Sequence, residues 1–132
     1  MNKPKKVTQL VVTTPDRAGM LAEVTGALAK ENINIEAICA YGDEGEAIFN
    51  LVVDEPTKAQ KALKDKGWEV AQEEAVILSL VNKAGALAKV AEKLKKDEVN
   101  LRYCYGTTEQ AGRACNIVLK AIDNERLFKS LS

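Results

Sequence analysis

The spacing of apolar and polar positions changes period several times along the chain. Residues 7–13 are rich in β-branched side chains and predict a strand. Thr14-Pro15-Asp16 punctuates it, and Pro15 biases Thr14 away from the helical region. Met20, Leu21, Val24, Ala27 and Leu28 then recur at helical spacing, and Asn32 and Asn34 break that helix. Two strands are predicted at 35–41 and 47–53, around the hairpin turn signal Gly42-Asp43-Glu44-Gly45. Pro56 suits the first turn of a second helix, with Ala59, Ala62 and Leu63 inward. Gly67 stops that helix, and residues 68–72 read as a fourth strand. The order β-α-β-β-α-β gives a four-stranded antiparallel sheet with two helices on one face.

The pattern occurs twice. Shifted by 66 residues, Ala18-Gly19 falls on Ala84-Gly85 without a gap. Leu21, Ala22, Val24, Leu28, Lys30 and Asn34 fall on Leu87, Ala88, Val90, Leu94, Lys96 and Asn100. Asn50 and Val52 fall on Asn116 and Val118 in the same register. A repeat of this length is one supersecondary unit used twice. The second copy predicts a strand at 75–81 and a helix at 85–96 with Leu87, Val90, Ala91 and Leu94 inward. Strands at 100–105 and 114–120 follow, around a loop containing Gly106 and Gly112, and then a short helix at 124–131. No counterpart of the 68–72 strand follows. The expected fold class is α+β, two ferredoxin-like βαββαβ units at 1–72 and 73–132, the second lacking its last strand.

Composition narrows the function. Apolar residues make up 46% of the chain, enough to bury a core. A module of about 60 residues is marginal alone, so each gains by packing on another. Lys and Arg balance Asp and Glu at 19 each, which removes the electrostatic case for nucleic acid or a membrane surface. No apolar run approaches a membrane span and the basic first six residues lead into no signal peptide, so the cytoplasm is the expected compartment. Cys39, Cys104 and Cys115 lack metal-ligand spacing. With no histidine, neither a metal site, a cofactor nor the commonest general base is expected.

The candidate chemistry lies where each first strand passes through a tight loop into a helix. The loops are Asp16-Arg17-Ala18-Gly19 before Met20-Leu21, and Asn82-Lys83-Ala84-Gly85 before Ala86-Leu87. Glycine permits a sharp turn and close ligand approach. The helix start exposes N–H groups and favours an anion, which suits a free carboxylate. An acidic or amide side chain beside it can hold an ammonium group. Taken singly, Asp16 and Asn82 read first as helix N-caps, and Asn34 reads equally as a helix terminator. Arg17 and Lys83 either draw in a carboxylate or are solvated charges. Tyr103 and Tyr105 alternate with Arg102 and so share one sheet face, as interface or core aromatics.

The string Pro15-Asp16-Arg17-Ala18-Gly19-Met20-Leu21 resembles the loop motif of the ACT domain, and Glu31-Asn32-Ile33-Asn34-Ile35-Glu36 resembles that family's approach to its second strand. Ala18 and Ala84 stand where proline is usual. The resemblance covers both copies. It implies a non-catalytic regulatory protein that senses a free amino acid at domain interfaces. The loop of one domain, Asp16–Leu21 or 82–87, would meet the second-strand start of a neighbour, Asn34-Ile35 or Asn100-Leu101. Ala18, Met20, Ala84 and Ala86 suggest an uncharged pocket wall and a small or branched apolar ligand. The alternative is a regulatory subunit docking on an amino-acid biosynthetic enzyme. A homodimer is expected. If the copies met through their second strands, residues 67–74 could not span the gap as a strand. They would be a linker, or the unpaired 75–81 edge would pair with another chain.

Overall fold

The computed structural model describes residues 3–107 and 110–132. The elements run β1 (Lys5–Pro15), α1 (Met20–Lys30), β2 (Ile35–Asp43), β3 (Glu46–Val53), α2 (Pro56–Lys64), β4 (Glu69–Val81), α3 (Ala86–Lys96), β5 (Leu101–Gly106), β6 (Ala114–Ala121) and α4 (Asn124–Leu131). The chain forms two compact units: Thr8–Glu73, and Glu74–Ser132 together with the chain up to Val7.

In the unit Thr8–Glu73 the strands are ordered β2-β3-β1-β4. Leu10 and Val12 of β1 lie opposite Leu51 and Phe49 of β3 in antiparallel register. These side chains and Val53 form one face, onto which α1 packs Met20, Val24, Ala27 and Leu28, and α2 packs Ala59 and Leu63. Trp68 and Val70 close the margin of that core. Leu21, which shares the apolar helical spacing, is 55% exposed. It lies one residue, about 100°, round the helix from Met20, beyond the stripe that Met20, Val24, Ala27 and Leu28 define. The β2–β3 hairpin turns on Glu44 (φ 48°) and Gly45 (φ 83°), two consecutive left-handed residues as in a type I′ turn.

Helix α1 ends in a Schellman motif. Asn32 adopts φ 58°, and the Asn32 and Ile33 N–H groups donate to the Ala29 and Leu28 carbonyls at 3.0 Å each. The terminator is therefore Asn32 alone, and Asn34 lies beyond it. Helix α3 ends the same way with Glu98 at φ 55°.

The second unit repeats the order with β4, β5 and β6, and with Val90 and Leu94 of α3 and Leu127 and Leu131 of α4 in its core. Leu87, 47% exposed, and exposed Ala91 fall outside the buried stripe. The gapless repeat fails after β5. Leu10 faces Leu51, and 66 residues on Val76 faces Leu119, which lies 68 residues beyond Leu51. The loop before β6 is thus two residues longer, and Asn50 corresponds to Val118 rather than Asn116. Residues 108 and 109 of that predicted loop, like residues 1 and 2, lie outside the described residues.

Residues 69–81 are one continuous strand, so 67–74 is not a linker. The first part of β4 is the fourth strand of the first unit, and its second part is the first strand of the second. In that second unit β4 has β6 on one side and the start of β1 on the other, so Lys5–Val7 stands where a fourth strand would. Lys6 is tied there to Glu125 of α4 and sits over the Phe128 ring, 5.0 Å from its centre.

Candidate functional site

Each strand–helix junction is built on a left-handed glycine. Gly19 (φ 91°) precedes α1 and Gly85 (φ 88°) precedes α3, and neither helix start has a side-chain cap. A Cβ at either glycine would meet nothing within 4 Å, so the requirement is conformational rather than steric. Because glycine occupies the N-cap position, Asp16 and Asn82 are not the caps of these helices.

Asp16 is instead fixed by its backbone to the β2–β3 hairpin, its N–H donating to Gly45 O at 3.1 Å. Its carboxylate lies over Gly42, where a Cβ would stand 2.7 Å from Oδ2. Glycine at 42 makes room for that carboxylate, a role that sequence reading, seeing only a turn residue, does not reveal. The carboxylate has no hydrogen bond or ion pair among the described residues. Asn82 is held in the same way: its N–H donates to Arg113 O at 2.7 Å and its carbonyl accepts from Gly112 N–H at 2.9 Å.

The side chains around the two junctions differ. Arg17 pairs with Glu23, Nη1 to Oε2 at 2.8 Å, and Met20 is buried at 3% exposure. At the second junction a cleft of about 210 Å³ opens, lined by Lys83, Ala86 and Lys89 over Leu80 and Val90. The uncharged wall expected from Ala84 and Ala86 is not what this cleft has, since two lysines line it. Ala18 and Ala84 are exposed on the loops, and Leu21 and Leu87 project as exposed apolar residues from the first turns of α1 and α3. Lys89 escapes sequence reading because it looks like any lysine on a helix surface. The available signal is its repeat position, where the first copy has Glu23.

The strand-start residues lie far from their own loops. Asn34 N–H donates to Asp54 Oδ1 at 3.0 Å, and Asp54 N–H donates to Asn34 O at 3.1 Å. Asp54 follows β3 and Gly45 precedes it, so Asn34 and Asp16 sit at opposite ends of that strand. Asn100 is placed likewise, its carbonyl accepting from Ile122 N–H at 3.3 Å just past β6. Both asparagines are exposed, whereas Ile35 and Leu101 turn inward against the two cores.

Two perturbed groups lie elsewhere. The Glu125 hydrogen bond raises the pKa of Lys6. The Ser130 hydroxyl, then the Lys93 ammonium, hold the Asp97 carboxyl below its ordinary value. The three cysteines are unpaired thiols, and no metal-binding cluster occurs among the described residues. Tyr103 and Tyr105 do share a face, their rings 6.4 Å apart and 26° from parallel. Among the described residues no helix is long and apolar enough to cross a membrane.

Two ferredoxin-like units in tandem define the class of protein. Within it the first unit is an ACT domain: residues 8–65 match the family model described as the ACT domain. The crystal structure of protein BT0572 from Bacteroides thetaiotaomicron is similar over 97% of this chain and 88% of that one, at 34% identity and a TM-score of 0.89. The regulatory subunit of aspartate kinase from Thermus thermophilus, in ligand-free form, is similar over 98% and 95%, at 16% identity and a TM-score of 0.70. Its counterpart from Thermus flavus covers the same shares at 17% identity and a TM-score of 0.60. These last two are likenesses of fold. The search of curated proteins finds no match.

Proposed function

We propose that the protein is a non-catalytic regulator that binds a free amino acid at its strand–helix junctions. The observation that carries this is the pair of glycine-capped junctions. Each opens a helix start with no side-chain cap, and at the first the Asp16 carboxylate has no partner among the described residues. The first-turn N–H groups suit the ligand carboxylate, and Asp16 or Asn82 the ammonium. Since Asn34 and Asn100 stand at the far ends of their units from Asp16 and Asn82, each would serve a junction other than its own. A second copy of the chain supplies one. A thermal-shift screen against the twenty amino acids tests the proposal.

A second reading has support in the exposed apolar residues Leu21 and Leu87 at the same helical position in both copies. They suit docking on an enzyme, as befits a chain with the fold of an aspartate kinase regulatory subunit. In that reading the partner is an amino-acid biosynthetic enzyme, and ligand occupancy alters the docking surface.

A further inference from the structure

The two junctions share a backbone and differ in charge. At the first, Arg17 pairs with Glu23, and Met20 is buried in the core. At the equivalent positions of the second copy stand Lys83, Lys89 and Ala86. One ion pair has become two like charges, and a long side chain has become a methyl group. The cleft of about 210 Å³ opens at this place, with both lysines on its wall. Neither lysine pairs with an acidic group among the described residues. Two ammonium groups held on one cleft repel each other, and a bound anion relieves that repulsion. Drug-sized ligands occupy pockets of roughly 300–1,000 Å³, so this cleft suits one small molecule and is too small for a nucleotide.

We infer that the second junction takes a ligand that carries an anionic group beyond the α-carboxylate, as an acidic amino acid does. At the first junction the equivalent charges pair with each other, Arg17 with Glu23. Lys83 and Lys89, on the wall of the cleft, take the side-chain carboxylate. This rests on the amino-acid-binding reading and adds to it the ligand class that the second junction prefers.

Isothermal titration of the full chain with L-aspartate, L-glutamate, L-asparagine and L-glutamine tests it. The acids are expected to bind at least about tenfold tighter than their amides, the scale of one charge-assisted hydrogen bond. Lys89→Glu, on an exposed helix position, should weaken acid binding by about tenfold or more. Ala86→Met, which restores the first copy's residue, should do the same by filling the cleft. Equal affinity for acids and amides overturns the inference and leaves amino-acid sensing standing. So does acid binding that survives both substitutions in folded protein. If none of the twenty amino acids binds, the sensing reading itself fails and this inference with it.

Discussion

Asp16 and Asp123 both precede a helix, but only Asp123 caps one. Its Oδ1 accepts the Arg126 N–H at 3.1 Å, while Gly19 takes the N-cap position of α1 and leaves the Asp16 carboxylate over Gly42. Asp123→Ala should cost about 1 kcal/mol of stability. Asp16→Ala should stay within about 0.5 kcal/mol, as at a surface position without partners. Urea denaturation of the two variants separates them. A loss at Asp16 as large as that at Asp123 would assign it a structural role and remove it from the proposed site. The sequence makes Asp16 an equally good cap because residue type alone cannot distinguish the last loop residue from one three positions earlier. The backbone of Gly19 decides that.

At the scale of elements, α3 and α4 are joined by a polar link. Ser130 Oγ donates to Asp97 Oδ2 at 2.6 Å, and Lys93 Nζ donates to the same oxygen at 2.9 Å. Both favour the charged carboxylate, so its pKa is lower folded than unfolded. The link's contribution is therefore full above the ordinary carboxylate pKa and is lost as pH falls through the lowered one. Asp97→Asn should flatten the acid side of the stability–pH curve and leave its slope near neutrality unchanged. Chemical denaturation across that range reads it, and a parallel curve would show the link to be inert. Most elements were legible in the sequence, α4 to the residue, because periodicity and turn residues agreed. Leu87 was misplaced because apolar character does not say which side of the buried stripe a residue occupies. The displacement after β5 was hidden because Asn116 and Val118 match Asn50 and Val52 by type, whereas strand pairing matches them by position.

At the scale of the molecule, the chain uses its long strands twice. The 13 residues of β4 serve both units, and the first residues of β1 stand where the second unit has no final strand. Nothing in the basic residues before Val7 signals that second role. The spacing conflict and bare edge that suggested a dimer are thereby resolved within the chain. The case for a dimer now rests on the site. Asp16 and Asn34 are separated by the length of β3, about 26 Å for its eight residues. A site needing both kinds of residue draws the asparagine from elsewhere, and β2 and β5, at the ends of the strand order, leave edges for pairing. Sedimentation equilibrium should give a homodimer at micromolar concentration. A monomer that still binds ligand would refute the shared site.

The central claim is that the strand–helix junctions hold a free amino acid, and the melting temperature against each of the twenty tests it most directly. At about 100 times its dissociation constant the ligand should add about 2.7 kcal/mol of stability, which a thermal scan resolves as a clear upward shift. At least one amino acid is expected to produce that shift. A melting temperature that none of the twenty moves would contradict the account and leave docking on an enzyme as the function of the fold.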